Sequence, residues 1–260
     1  MASYFAAALF LAGGCSAAEH RWRPTCTVER GNSNGNAPVC MRHGQPVNCT
    51  RNADNKRPTG NGAFALDDEH AYEYLLDRGL AAALGTFFLA EGRKQGAAAT
   101  VTEFGAGKGC YTDALLDAGV HARGYEGADG IEALTRGFVA RADLTTPLHV
   151  SRSQWVLCLE VAEHIPKAHE GAFLRNLHDH NTDGVVLSWS SAKAGIGHVN
   201  PRDAAYVEGV MRRLGYAEDV AEGGKLRAAV STFSWFKGTG GHGKVGGGVR
   251  VWRRVNDKSG

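Results

Sequence analysis

Glu160, Glu163 and His164 stand at positions i, i+3 and i+4 in the run Leu-Glu-Val-Ala-Glu-His-Ile-Pro. If a helix starts there, that spacing gathers the three side chains on one face. His198 follows in Gly-Ile-Gly-His-Val-Asn-Pro-Arg, a loop rich in polar groups. Together they form a two-Glu, two-His donor set for Mg²⁺ or another divalent cation, with positions open for substrate oxygens. Without a metal, His164 or His198 could serve as a general base, since both can titrate near neutrality. Glu160 completes the candidate catalytic groups. A third reading makes the acid and the imidazole simple loop anchors, and Asn200-Pro201 equally fits ordinary helix entry. His169, His178 and His180 fall on or near a polar helix and are expected in solvent.

These groups need a scaffold, and its clearest signature is Thr-Val-Thr-Glu-Phe-Gly-Ala-Gly-Lys-Gly at residues 100–109. A short β-prone run ends in an acid, Glu103, and glycine then occupies Gly105, Gly107 and Gly109. The chain must turn sharply with its backbone bared to a ligand before a helix begins near Tyr111. The dinucleotide fingerprint G-x-G-x-x-G needs its last glycine where Cys110 stands, which argues against a nicotinamide cofactor. A second strand, 121–126, ends in Glu126, an acid placed to accept two hydrogen bonds from ribose hydroxyls. After a third strand, Asp143 could accept from an adenine amino group and Leu144 could lie against the ring. Lys108 is expected to point to solvent.

The wider pattern alternates strand and helix from Phe64 onward. A helix opened by Asp67-Asp68-Glu69 is expected to run through Ala90, with Leu75, Leu76, Leu80 and Leu84 on roughly one face. Strands follow at 101–104, 121–126, 138–142, 154–159 and 185–189, with helices at 111–118, 130–135, 169–178 and 203–214. Residues 231–237 and 249–255, joined by a glycine-rich loop, read as a closing hairpin. The expected fold is α/β: a Rossmann-like, mostly parallel seven-stranded sheet with helices on both faces and a C-terminal antiparallel hairpin.

Over roughly residues 100–255 these motifs resemble the class I S-adenosylmethionine (SAM) methyltransferases, and 157–166 is similar to the post-strand-four motif of the type 11/12 small-molecule grouping. The resemblance implies SAM as methyl donor, bound by Glu103, Gly105, Gly107, Gly109, Glu126, Asp143 and Leu144. It also implies that Glu160, Glu163, His164 and His198 could hold a metal, as a similar Glu-x-x-Glu-His set does in ubiquinone-pathway O-methyltransferases and in enzymes that methylate the terminal 2′-hydroxyl of small RNAs. The function expected is methylation of a hydroxyl on a small-molecule or glycan acceptor. A non-catalytic binding protein on the same fold and a metal-free N-methyltransferase stay open.

Charge adds an exclusion. The net charge of +2 over 260 residues argues neither for nor against nucleic acid, but no basic run is long enough to track a phosphate backbone, which counts against a nucleic-acid partner. Arg212-Arg213 and Arg253-Arg254 are isolated pairs, expected on solvated faces. Residues 1–18 carry a short apolar run followed by small residues, read as a secretory signal that would leave no membrane span once removed; an organelle-targeting segment or an uncleaved anchor are the rivals. Residues 19–63 are polar and hold Cys26, Cys40 and Cys49. They are read as a tether or a small stapled extension, in which one thiol is left over or pairs with Cys110 or Cys158. Asn48-Cys49-Thr50 is an N-glycosylation sequon. Residues 64–260 are read as the methyltransferase domain.

Overall fold

The computed structural model describes residues 23, 24, 26, 39–42, 45–48, 59–63, 76–193, 195, 197–238 and 248–255. The signal-like segment 1–18, the helix start expected at 67–69 and most of the glycine-rich loop lie outside them. A two-stranded hairpin, β1 (Val39–Arg42) and β2 (Gln45–Asn48), precedes the domain. Helix α1 spans Arg78–Lys94. The main sheet is built from β3 (Thr100–Phe104), β4 (His121–Glu126), β5 (Val139–Arg141), β6 (Ser153–Cys158), β7 (Asn181–Leu187), β8 (Tyr216–Glu218) and β9 (Arg250–Arg254). Its order is β5-β4-β3-β6-β7-β9-β8, and β9 alone runs antiparallel to its neighbours.

Helices α2 (Cys110–Asp117), α3 (Ile131–Leu134), α4 (Glu170–Asp179), α5 (Ala204–Arg213) and α6 (Val220–Ala229) complete the domain. Side chains alternate across the strands, so both faces of the sheet are covered. Trp155, Leu157, Val186 and Val251 pack with Leu80, Leu84, Leu115 and Leu226 on one side. Val156, Cys158, Val185, Leu187 and Trp252 pack with Phe173, Leu177, Val207 and Met211 on the other. This is the α/β fold expected from the sequence, a Rossmann-like, mostly parallel seven-stranded sheet with helices on both faces. Among the described residues no helix is long and apolar enough to cross a membrane.

Four expectations need correction. Residues 76 and 77 are not helical, so α1 does not run unbroken from 67; Asp77 caps it, accepting from Leu80 N–H at 2.9 Å. The same buried carboxylate accepts the N–H groups of Ser231, Thr232 and Phe233, which draws residues 231–233 out of any strand. Burial alone would raise its pKa, but the donors of Leu80, Phe233, Ser231 and Thr232 outweigh that and hold it below the usual carboxylate value. The stretch expected as the first strand of the closing hairpin therefore becomes a 3₁₀ turn, Ser234–Lys237, and the antiparallel partners of β9 are β7 and β8.

His180 is buried edge-on against Phe104, and His178 is half-buried against Tyr216, so neither is the solvated side chain expected. Arg253 and Arg254 also leave solvent in part. Arg253 grips Glu91 through two nitrogens, at 2.8 and 2.9 Å, and Asp219 through Nε, while Arg254 donates to Asn181. In the extension, Cys26 forms a disulfide with Cys110, one of the alternatives the cysteine count left open, and Cys158 is a buried free thiol.

Candidate functional site

The carboxyl ends of β3, β4 and β6 converge on the glycine turn. Gly105, Gly107 and Gly109 all take positive φ. At Gly105 the need is also steric, since an added Cβ would overlap the side chain of Val161 in the loop after β6. The cofactor loop and the Glu160–His164 loop are thus packed backbone against side chain. Lys108 is only 5% exposed, contrary to the solvent-pointing expectation.

Glu126 is the hinge of this half. Its Oε2 accepts the Gly107 N–H at 2.9 Å, and Oε1 accepts those of Gly127 and Ala128 at 2.8 and 3.2 Å. The acid that ends β4 therefore closes the turn that ends β3. Desolvation still pushes its pKa above the ordinary value despite these donors. Glu103, fully buried, accepts from the Thr112 hydroxyl of α2, and burial raises its pKa to about 7. Asp143 uses Oδ1 to cap its own turn, accepting from Thr145 N–H and Oγ1 at 2.9 and 2.6 Å. Leu144 packs into the core with Phe104 and Val156.

The second half lies across Val161. Residues 160–164 form a turn rather than the expected helix, with His164 N–H donating to the Val161 carbonyl at 2.9 Å. Glu160 opens it at φ 54°, a left-handed conformation that is uncommon for a side-chain-bearing residue. The turn nevertheless gathers what the helix was expected to gather. Ligand-capable atoms of Glu163, His164 and His198 all lie within 4.8 Å of one another. Glu160 stands beside Glu163 but outside that set.

The loop carrying His198 is fastened by groups that sequence reasoning left aside. Val199 and Asn200 donate their N–H groups to the Glu163 carbonyl at 2.9 and 2.8 Å, and the Trp189 indole donates to the Asn200 carbonyl. Glu170, at the start of α4, accepts from Asn200 Nδ2, from Arg202 Nε and Nη2, and from the Tyr206 hydroxyl. Burial would raise the Glu170 pKa, but Tyr206, Asn200 and Arg202 hold it below the ordinary value. The only local signal was an acid at a helix entry, so this hub was not visible.

Chemically the cluster fits a divalent cation. Both oxygens of Glu163 are buried and lack a hydrogen-bond partner among the described residues, as does Oε1 of Glu160. Such groups are costly unless something completes them. Desolvation and the neighbouring Glu160 carboxyl drive the Glu163 pKa well up, and burial raises Glu160 to about 7. The His164 Nδ1 lies 3.1 Å from the Gly197 carbonyl and the His198 Nδ1 2.6 Å from that of Ala192. A ring that donates from Nδ1 to a carbonyl carries its lone pair on Nε2, the arrangement of metal-binding imidazoles. Desolvation lowers the His164 pKa to about 4, which keeps the ring neutral.

No protein-family model matches this chain, and no curated protein does. Among solved structures it is similar to the magnesium protoporphyrin IX methyltransferase of Synechocystis PCC 6803 with bound SAM: 15% identity, 67% of this chain and 78% of that one, TM-score 0.48. An amino pentose methyltransferase of Micromonospora echinaspora shares 16% identity over 67% and 90% of the two chains, at TM-score 0.47. A TehB-like SAM-dependent methyltransferase of Corynebacterium glutamicum shares 12% over 69% and 89%, also at 0.47. Similarity at this distance assigns no ligand and no chemistry to this chain.

Proposed function

We propose that this protein is a SAM-dependent methyltransferase that acts on a hydroxyl of a small-molecule or glycan acceptor. The observation that carries the reading is the buried Glu126 carboxylate, tied to the Gly107 N–H of the glycine turn. An acid at that point, beside a backbone bared at the end of β3, supports the reading because it could accept from ribose hydroxyls. Glu103 on the neighbouring strand adds a second buried acid, a polarity that suits the sulfonium and ammonium of SAM.

In the transfer, the methyl carbon leaves the sulfonium as a bond forms to the acceptor oxygen, the sulfur keeps the bonding pair to give neutral S-adenosylhomocysteine, and the hydroxyl proton passes to solvent water. The protein contributes chiefly position. Val161, wedged against Gly105, fixes the acceptor loop to the cofactor loop, and Glu163, His164 and His198 face the acceptor from that loop and its neighbour. His164, neutral with a pKa of about 4, is too weak a base to hold the proton near neutrality but is suited to be a neutral ligand. A divalent cation bound by Glu163, His164 and His198, with Glu160 beside them, would lower the pKa of a coordinated hydroxyl. Two imidazoles with a carboxylate favour a first-row transition ion over Mg²⁺.

The test is S-adenosylhomocysteine (SAH) release from SAM across a panel of vicinal diols, catechols and sugars, with Mn²⁺, Mg²⁺ or EDTA. Turnover that needs the metal and is lost in Glu163→Gln supports the full reading. Turnover in EDTA equal to that in Mn²⁺ removes the metal, and no turnover with any hydroxyl acceptor removes the O-methyl assignment.

A further inference from the structure

Two stretches of the N-terminal extension meet the domain, and both flank the glycine turn. At the first, Cys26 is bonded to Cys110, the opening residue of α2 and the one directly after Gly109. Arg23 adds ion pairs to the same helix, at 2.5 and 2.8 Å from the Asp117 carboxylate and 3.4 Å from that of Asp113. These pairs lie at the surface, where solvent screens them, so the covalent link holds this contact.

At the second, residues 59–63 fold into a tight turn of their own, with Gly62 N–H on the Thr59 carbonyl at 2.8 Å. Asn61 Nδ2 donates to the carbonyl of Gly127, the residue after Glu126, at 3.2 Å. Gly62, at φ +86°, presses on the acceptor loop. A Cβ there would lie 2.8 Å from the His164 carbonyl carbon and closer still to its oxygen. Strands β4 and β6 flank β3 in the sheet, so this turn reaches from the ribose side of the site to the acceptor side.

We propose that these two stretches are a working part of the cofactor site: Asn61 and Gly62 set the spacing between its two halves, and the Cys26–Cys110 bond clasps the first stretch to α2. The proposal rests on the SAM reading above. Cofactor binding and extension docking share the same loops, so their coupling must be reciprocal. Occupancy of the site should slow reduction of the clasp, and reduction should weaken occupancy. In that reduction a dithiol supplies two electrons and two protons, Cys26 and Cys110 become thiols, and the dithiol closes to its own disulfide.

The experiment is SAH titration into the full chain and its Gly62→Val, Asn61→Ala and Cys26→Ser variants, each checked for folding by circular dichroism. Alongside it, dithiothreitol reduction of Cys26–Cys110 is followed by alkylation and mass spectrometry with and without SAH. The expected result is binding about tenfold weaker in Gly62→Val and about threefold weaker in the other two, with reduction slowed about tenfold by saturating SAH. If Gly62→Val does not fold, Asn61→Ala and Cys26→Ser decide. Variants that bind like the parent, with a reduction rate indifferent to SAH, overturn the proposal while leaving the SAM reading intact. A folded parent chain that binds no SAH overturns the SAM reading, and the role of the extension falls with it.

Discussion

The two halves of the site treat their carboxylates in opposite ways. In the cofactor half, Glu126 receives three backbone N–H groups and Glu103 a hydroxyl. In the acceptor half, both oxygens of Glu163 and one of Glu160 are buried with no hydrogen-bond partner among the described residues, and Glu160 sits in a left-handed conformation. The first half satisfies its acids from its own backbone and hydroxyls. In the second, the described residues leave three carboxylate oxygens without a donor. A preorganised cofactor cradle beside an unfinished cation site is what a metal-assisted transferase would require.

That contrast can be broken in stages. The largest effect is expected from Glu126→Ala, which removes the proposed ribose acceptor and orphans three N–H groups. SAM affinity should fall at least about 100-fold and stability by about 3 kcal/mol, read by calorimetric titration and chemical denaturation. Glu103 tests the same half through pH. Its folded pKa, about 7, lies above the ordinary 4.5, so the folded state is favoured most below pH 4.5. That advantage is lost as pH rises through 7. The loss should approach about 3 kcal/mol and vanish in Glu103→Gln, as urea unfolding across pH 4–8 would show.

The acceptor half should respond with the opposite sign. Glu163→Gln replaces a buried acid crowded by the Glu160 carboxyl with a neutral amide, so in EDTA the variant should be more stable than the parent by about 1–2 kcal/mol, while losing stabilisation by Mn²⁺. Equal stability and an equal Mn²⁺ response would erase the distinction between the halves. The smallest effect belongs to Glu170→Gln, which loosens the loop carrying His198. Mn²⁺ affinity should drop about threefold to tenfold with SAM affinity unchanged, measured by competition with a metal indicator.

The same division explains what could be read from the chain beforehand. The cofactor half is local: glycines, an acid before them and an acid ending the next strand are all set by neighbouring backbone, so β3, β4 and Glu126 were legible at nearly residue precision. The acceptor half was legible as a list but not as a geometry. Glu163, His164 and His198 converge as expected, yet on a turn, because Glu160 breaks the helical conformation and the Glu163 carbonyl is taken by the loop of His198.

Elements fixed by remote partners were missed altogether. Asp77 recruits three N–H groups from residues 231–233, a contact no window of neighbouring residues contains. Helix α6 hides behind Gly223-Gly224 and has little amphipathic pattern, although Asp219 caps it by accepting from Glu222 N–H. Strand β8, three residues long, exists only through its pairing with β9.

The most direct measurement is calorimetric titration of SAM into the full chain beside Glu126→Ala. Saturable one-to-one binding by the parent, with loss of at least about 100-fold in the variant, is the result predicted. A folded parent that takes up no SAM, or a variant that binds as the parent does, would contradict the account.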